Sequence, residues 1–452
     1  MSVPRTLAIL LLLALPASAA ARGASRQEPA PTPKPQDQGG QAGQPSDLTI
    51  RIVGAARPKV PIAVPPFVVG GDDPRLAETA KALHDVVRDD LDFSGYFAIV
   101  PEEYQKLIHD ASLTRINYKE WLGIGAEALL AGRVSLEPSM VVLEGRAYDT
   151  TDKRTVLGKL YRGEPDRDRL LAHRLSDEVV LQYTSQQGIA MTRIAYVSQV
   201  GKGKEILVMD YDGARAKRVT GNGSINLSPA WSPDGKEIAF VSYRNGDPEL
   251  MILNSVGELR KAFPQSGELN SAPSWSPDGR LIAFASSRDG NAEIYTLRAA
   301  DGQLNRLTRN DAIDTSPTWS PDGQQIAFTS DRLGSPQIFV MDAQGADVRR
   351  LTYDVSYCDA ASWSPLGDKI AFTARVPGGF DIYVKDLKSG QQVQLTQSAN
   401  INEWPRWSPD GRHLAFASNR TGNFDIYTMD ADGSRVRRLT RGGNSFSPAW
   451  SR

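Results

Sequence analysis

The chain has 452 residues, with 52 Lys and Arg against 53 Asp and Glu, and this length allows two or three domains with sizeable cores. Its formal charge of −1 argues against nucleic acid as the main partner, because phosphate neutralisation requires an excess of basic residues. One cysteine, Cys358, excludes an internal disulfide framework, and four scattered histidines lack metal-ligand spacing, so the sequence predicts no metal and no other cofactor.

Residues 1–21 have the pattern of an export signal. Arg5 provides the positive flank, residues 7–15 are apolar, and Ala17-Ser18-Ala19 forms an A-x-A site, with cleavage expected near Ala19 to Ala21. The alternative, a membrane-spanning helix, requires roughly 20 apolar residues and is disfavoured. We therefore expect an exported protein whose mature chain has no transmembrane segment.

Residues 22–47 are rich in Pro, Gln, Gly and Ala, which predicts a flexible linker. Residues 48–186, on the order of one domain in length, show helical patterns on either side of a mostly β middle. Helices are predicted over 76–91, 102–109 and 166–186, and strands over 60–67, 96–100, 128–134, 140–148 and 155–162. This order indicates an α/β or α+β domain.

From residue 187 onward the chain repeats Trp-Ser-Pro-Asp-Gly. The tryptophans lie at 231, 275, 319, 363, 407 and 450, and Leu366 replaces the turn aspartate in one copy. A period of about 40–45 residues with short strands is typical of propeller blades. Each turn precedes an Ile-Ala-Phe-like strand and two further strand patterns, so one repeat makes one four-stranded blade.

The two ends of the repeat region complete one blade. Residues 194–220 hold a second, third and fourth strand without a first, and Phe446 to Trp450 supply a first strand with nothing after it. The predicted fold is therefore an N-terminal α/β domain followed by an all-β six-bladed propeller over 187–452. Pairing of the N- and C-terminal strands closes the propeller and removes an exposed sheet edge.

The repeated tryptophans are interpreted as core between neighbouring blades, with an exposed ligand-stacking role as the alternative. The sequence contains no G-x-S-x-G nucleophile elbow and no phosphate-binding glycine loop before a helix. We therefore favour a binding protein over an enzyme. The alternative is a propeller lyase or hydrolase that acts on envelope glycan in its channel, with Asp314, Asp359 and Glu403 as acidic groups near the mouth.

Six similar loops precede the innermost strands and are expected to surround one mouth of the channel, the default binding face of such a scaffold. Five positions before the tryptophans stand Asn226, Asn270, Asp314, Cys358, Asn402 and Ser445, followed by Leu227, Ser271, Thr315, Asp359, Glu403 and Phe446. The asparagines have turn capping as their alternative role. The next hairpin carries Arg244, Arg288, Arg332, Arg375 and Arg420, which either pair with carboxylates or face a partner, and both interpretations stay open.

Four stretches outside the repeat carry a family resemblance. They are Asp90-Leu-Asp-Phe-Ser-Gly-Tyr-Phe97, Glu144-Gly-Arg-Ala-Tyr-Asp149, Ala172-His-Arg-Leu-Ser-Asp177 and Gln186-Gln-Gly-Ile-Ala190. Together with the propeller repeat, they make the chain from Leu48 to Arg452 resemble the TolB family of the Tol–Pal envelope system.

This resemblance implies a monomeric, non-catalytic periplasmic adaptor that supports outer-membrane integrity and cell division. The propeller mouth would bind the peptidoglycan-associated lipoprotein Pal, and the candidate contacts are Asn226, Ser228, Asn270, Ser271, Asp314, Thr315, Asp359, Asn402, Glu403, Arg244, Arg288, Arg332 and Arg420. The N-terminal region would contact TolA, and the alternating Leu48, Ile50 and Ile52 suit addition to a partner's sheet edge. Other outer-membrane proteins are further partners that the resemblance allows.

Overall fold

The computed structural model describes residues 58–108, 113–263, 269–397 and 401–452. An α/β region precedes a six-bladed β-propeller in these residues, which confirms the predicted fold class. The predicted export signal, the linker and the strand with Leu48, Ile50 and Ile52 lie outside the described residues. Across the described ranges, no helix combines the length and apolar character needed to cross a bilayer.

The α/β region is one mixed sheet covered by two long helices. Its helices are α1 (Pro74–Phe93), α2 (Glu102–Gln105), α3 (Tyr118–Gly123) and α4 (Asp168–Thr184), with a 3-10 turn at Pro165–Arg167. Its strands are β1 (Val60–Ala63), β2 (Val68–Val69), β3 (Phe97–Ile99), β4 (Ala128–Glu137), β5 (Met140–Asp149) and β6 (Arg154–Gly163). The strand order is β3-β1-β4-β5-β6, with β2 beside β4, and α1 and α4 bury their apolar sides in a common core with the sheet.

Three elements differ from the sequence prediction. The strand expected over 60–67 ends at Ala63, because Pro65 and Pro66 cannot donate to a sheet ladder, and the separate strand β2 follows beyond the predicted range. The helix expected over 102–109 ends at Gln105. The short helix α3 was not predicted, since six residues give too little periodicity. Helix α1 begins at Pro74, slightly before the predicted start at residue 76, and Asp73 accepts the Arg75 N–H at 2.9 Å as its N-cap.

The propeller is built from four-stranded sheets, which we number as blades 1 to 6. Blades 1 to 3 comprise Asn226–Trp231, Glu237–Ser242, Glu249–Asn254 and Leu259–Phe263; Asn270–Trp275, Leu281–Ser286, Glu293–Arg298 and Leu304–Arg306; and Asp314–Trp319, Gln325–Ser330, Gln337–Asp342 and Arg349–Arg350. Blades 4 and 5 comprise Cys358–Trp363, Lys369–Val376, Gly379–Asp386 and Gln392–Gln394; and Asn402–Trp407, His413–Thr421, Asn423–Asp430 and Arg437–Arg438. Blade 6 comprises Ser445–Trp450, Arg193–Val200, Gly203–Asp210 and Lys217–Arg218.

Blade 6 joins the two ends of the propeller, as predicted. Its innermost strand, Ser445–Trp450, pairs antiparallel with Arg193–Val200, and Trp450 lies opposite Ile194. The Ser451 N–H donates to the Arg193 carbonyl at 2.8 Å. The ring is therefore closed by strand pairing between residues more than 200 positions apart in the sequence, on the order of a whole domain.

The tryptophans that end the innermost strands pack between blades. Trp231 shares a core cluster with Ala195 and Val208 of blade 6, and its Nε1–H donates to the Ala449 carbonyl at 3.1 Å. Five of these tryptophans are at most 9% exposed: Trp231, Trp275, Trp319, Trp407 and Trp450. The sixth, Trp363, is half-buried. This packing supports the interpretation of the repeat as core between blades.

The turn after the tryptophan is held by a serine–aspartate bond in blades 1, 2, 3 and 5. In blade 1 the Ser232 Oγ–H donates to Asp234 Oδ1 at 2.7 Å. In blade 4, where Leu366 replaces the aspartate, Ser364 donates instead to Asp368 Oδ1 at 3.0 Å. A carboxylate two positions later thus compensates for the substitution.

A polar network joins the α/β region to the propeller. Asp90 of α1 accepts hydrogen bonds from the Tyr211 hydroxyl at 2.6 Å and from His173 Nδ1 of α4 at 2.9 Å, and all three residues are buried. Burial lowers the pKa of His173, but the bond to Asp90 and the negative charges of Asp90 and Asp212 together raise it by more, so the pKa is raised overall. The raised pKa makes the histidine a donor to this carboxylate.

Two further contacts fix the junction. The Arg412 guanidinium donates to the Gly95 carbonyl at 3.0 Å, across the interface. The Asp177 carboxylate of α4 accepts the N–H groups of Ala190 and Met191 at 2.8 and 3.0 Å, which holds the segment that leads into blade 6. Burial raises the pKa of Asp177 to about 6.

Candidate binding face and channel of the propeller

Each innermost strand contains a bulge three residues before its tryptophan. In blade 1 the pairing with the second strand shifts between Leu227 and Ala230, and Ser228 between them has φ 53°. The equivalent residues also have positive φ: Ala272, Ser316, Ala360, Trp404 and Ser447. Non-glycine residues adopt this conformation at a cost of roughly 1–2 kcal/mol each, and such bulges redirect side chains at functional edges. The bulges therefore mark this end of the channel as a candidate functional face.

The ring of side chains five positions before the tryptophans is closed to solvent. Asn226, Asn270, Asp314 and Asn402 are each at most 1% exposed. The Asn226 Nδ2–H donates to Glu205 Oε2 of the preceding blade at 3.0 Å. Asn402 donates in the same way to Asp381 Oδ1 at 2.8 Å.

These bonds tie the first strand of one blade to the third strand of the blade before it. The ring thus has an internal role between blades, which the sequence interpretation of an exposed polar ring did not foresee. Asn270 follows the same pattern, because its Nδ2–H donates to the Pro248 carbonyl at 3.0 Å. Direct contact with a partner is therefore expected from the neighbours of these four side chains, because burial denies them a contact surface.

The residue that follows each member of this buried ring, four positions before the tryptophan, remains partly exposed. Ser271, Thr315, Asp359 and Glu403 are half-buried, as is Ser228 at the bulge of blade 1. The innermost strands of neighbouring blades contact one another around the channel, so these side chains are brought to one mouth. Among the predicted residues of the channel mouth, these half-buried side chains are the ones that a partner could contact.

Two carboxylates give the mouth its charge on the side of blades 4 and 5. Asp359 Oδ1 accepts the Thr329 hydroxyl at 2.8 Å and the Ala360 N–H at 2.6 Å, so its carboxylate is held in place. Burial, with a smaller contribution from the charge of Asp359, raises the pKa of Glu403 to about 7. Glu403 therefore changes protonation near neutral pH.

The hairpin arginines are engaged within their own blades. Arg332 donates to Asp314 Oδ2 at 2.9 Å, Arg420 donates to Asn402 Oδ1 at 2.9 Å, and Arg244 pairs with Glu249 at 3.3 Å. The guanidinium groups also stack on aromatic rings of the second and third strands. These pairs include Arg288 over Tyr295 at 5.1 Å, Arg332 over Phe339 at 5.0 Å, Arg375 over Phe380 at 5.5 Å and Arg420 over Tyr427 at 4.8 Å. Arg244 and Arg332 thus pair with carboxylates, Arg420 bonds an amide oxygen, and a role of the hairpin arginines toward a partner stays a prediction.

An aromatic sector of the mouth was not predicted. Trp404 packs against Phe424 and Phe446, with ring centroids 5.9 and 5.7 Å apart, and the Lys204 ammonium lies 5.1 Å from the Phe446 ring. The sequence signal for this sector is Trp404, which stands where the other blades have Ser or Ala. Aromatic side chains are enriched at protein interfaces.

A central cavity of about 360 Å³ lies along the channel. Its wall consists of Ser, Thr, Ala, Pro and Trp residues of the innermost strands and of the turns that follow them, together with Arg406 and Arg452. The cavity is therefore lined by hydroxyl groups, ring faces and the Arg406 side chain.

One group of side chains at the domain interface has the donor set of a metal site. His173, Asp210 and Asp212 offer ligand atoms that all lie within 4.8 Å of one another. However, Arg215 donates to Asp210 at 2.7 Å, and Arg169 pairs with Asp212. Because two guanidinium ions already neutralise the carboxylates, we interpret the group as a charge network and assign it no metal.

Family comparisons cover both parts of the chain. A model described as the TolB beta propeller domain matches residues 181–382 and 355–452, and one described as the TolB amino-terminal domain matches residues 48–156. The Tol-Pal system protein TolB of Desulfosudis oleivorans is 40% identical over 191 residues, 41% of this chain and 43% of that protein. Its counterpart in Methylobacillus flagellatus is 36% identical over 192 residues, 42% of this chain and 43% of that protein. The chain thus matches less than half the length of these curated relatives.

A solved structure extends the similarity. The crystal structure of TolB from Acinetobacter baumannii superimposes with a TM-score of 0.75 at 30% sequence identity. The match covers 88% of this chain and 97% of that one. The similarity therefore includes the α/β region as well as the propeller.

Proposed function

The chain belongs to the TolB family, and from this membership we propose that it is a periplasmic component of the Tol–Pal envelope system that binds proteins and catalyses no reaction. Residues 1–21 would be removed on export, and residues 22–47 would link the cleavage site to the α/β domain. In this role the protein supports outer-membrane integrity and cell division. Its partners recognise two separate parts of the molecule.

The propeller mouth is the proposed site for the peptidoglycan-associated lipoprotein Pal. The observation that carries this proposal is the juxtaposition of the strained bulges with half-buried polar side chains and the aromatic sector of Trp404 and Phe446. Such a face offers an apolar anchor, a polar rim and a rigid backbone, the features of a protein interface. The inward-facing ring and the stacked arginines would keep this face rigid before the partner arrives.

A pair of substitutions on blade 3 tests the proposed face. Thr315→Arg places a long charged side chain at the mouth, whereas Gln324→Arg places the same side chain on the exposed turn after Trp319. We expect at least a tenfold loss of affinity for the soluble domain of Pal in the first variant and none in the second, measured by calorimetry. Equal affinities for both variants and the unmodified protein would exclude the mouth as the docking site.

The N-terminal segment is the proposed contact with TolA. Alternation of Leu48, Ile50 and Ile52 with polar residues suits a strand that adds to a partner's sheet edge. Deleting residues 48–53 should abolish capture of TolA while leaving Pal binding unchanged. Retained TolA capture by the deletion variant would contradict this assignment.

A further inference from the structure

Arg406 is the large cationic residue at one level of the channel wall. It stands immediately before Trp407, and the equivalent residues of the other blades are small: Ala230, Ser274, Thr318, Ser362 and Ala449. All six line the central cavity of about 360 Å³. One guanidinium therefore faces a space whose other walls at this level are methyl and hydroxyl groups.

Within the part of the chain that the structure describes, the guanidinium of Arg406 lacks a carboxylate within 4.0 Å, and its hydrogen bond is the one from Nη1 to the Pro405 carbonyl at 3.0 Å. The counter-charge that acts on this guanidinium is Asp359, whose carboxylate already accepts from the Thr329 hydroxyl and the Ala360 N–H. Desolvation lowers the pKa of Arg406 to about 10, which reflects this weak compensation. Four of its five N–H groups are free for another acceptor.

The chemistry of the cavity favours an anion. No Asp or Glu from the described ranges lines it, whereas Arg406 does. A buried charge without a partner is costly, and a guanidinium fork matches a planar carboxylate with two parallel hydrogen bonds. Neighbouring hydroxyl groups supply further donors to the same acceptor.

We propose that the channel binds a carboxylate at Arg406. Two sources of this group are consistent with the geometry: a small free carboxylate that occupies the cavity, or an acidic side chain that a bound protein inserts through the mouth. The second source rests on the proposed function, because it requires a partner at the mouth. Either source would neutralise the guanidinium.

The first experiment uses malonate as the probe at constant ionic strength, followed by calorimetry and by the fluorescence of the channel tryptophans. The variants are Arg406→Gln, Arg406→Lys and the control Arg280→Gln, whose side chain is 82% exposed on the turn of blade 2. A free-anion site predicts saturable binding to the unmodified protein and the control, at least tenfold weaker binding to Arg406→Gln, and an intermediate value for Arg406→Lys. Thermal melting should show Arg406→Gln to be at least as stable as the parent, because it removes an unpaired charge.

The second experiment measures Pal affinity with the same variants. At least a tenfold loss for Arg406→Gln, without malonate binding to the unmodified protein, assigns the carboxylate to the partner. Malonate binding that depends on Arg406 with unchanged Pal affinity assigns it to a free anion. If Arg406→Gln changes neither measurement, the proposal of a carboxylate site is wrong. If the unmodified protein fails to bind Pal, only the proposed function is refuted. The malonate result alone then decides whether Arg406 binds a carboxylate.

Discussion

The closing strand of blade 6 gives the sharpest prediction about stability. Deleting residues 447–452 removes Trp450, which is 8% exposed and donates its Nε1–H to the Thr192 hydroxyl at 2.8 Å. It also removes the Ser451 N–H bond to the Arg193 carbonyl and the Ala449 carbonyl that accepts from Trp231. The deletion leaves the strand Arg193–Val200 without its inner neighbour and opens the ring.

The size of the effect follows from these contacts. Truncating a buried tryptophan costs about 3–5 kcal/mol, and each lost hydrogen bond adds about 1 kcal/mol. The loss therefore exceeds about 5 kcal/mol, a large part of the 5–15 kcal/mol that typically stabilises a native protein. At roughly 2–4 °C per kcal/mol, the propeller transition should move down by at least about 10 °C.

Scanning calorimetry on the full chain and the deletion variant measures this shift. Trp450→Ala should reproduce most of it, and Leu366→Ala, at a side chain that is 66% exposed, should leave the transition unchanged. A deletion variant that melts at the parent temperature would refute closure by strand pairing.

Three further predictions concern polar groups that are buried or half-buried. Asn402→Leu removes the donor to Asp381, so urea titration should show unfolding free energy lower by about 1–3 kcal/mol; an unchanged value would contradict a joint between blades. Glu403 has a pKa raised to about 7, so its contribution to stability is present at low pH and is lost as the pH rises through 7. Between pH 5 and 8, the melting temperature of Glu403→Gln should therefore fall less than that of the unmodified protein. An identical fall in both proteins would exclude this group as the cause. Tyr211→Phe deletes the hydrogen bond to Asp90 at the domain interface, so thermal melting should show a free energy of unfolding lower by about 1–3 kcal/mol. An unchanged melting curve would show that this bond contributes nothing to stability.

The fold was largely predictable because its signals are local and repeated. Each tryptophan, turn and Ile-Ala-Phe strand lies within one repeat, and the missing first strand before residue 194 implied closure by Phe446 to Trp450. The exceptions were short or interrupted elements, such as the strand that ends before Pro65 and Pro66 and the helix Tyr118–Gly123. Local periodicity cannot identify segments this short.

The candidate site was less predictable because burial depends on neighbours that are distant in sequence. Asn226 looks like a polar loop residue, yet its carboxylate acceptor is Glu205, one blade away. Arg332 looks available, yet Asp314 and an aromatic ring hold it. Which polar side chain faces solvent is decided by how the six sheets meet, and a single repeat carries no information about that.

Closure by Ser445–Trp450 also has a consequence for biogenesis. This strand is synthesised after blades 1 to 5, while its partner Arg193–Val200 precedes them all. The α/β domain has every strand of its sheet available early. In the propeller, the strand Arg193–Val200 keeps an unpaired edge until the last strand, Ser445–Trp450, has been synthesised. During that interval the nascent chain is vulnerable to intermolecular pairing, so a chaperone that shields the waiting edge would raise the yield of folded protein.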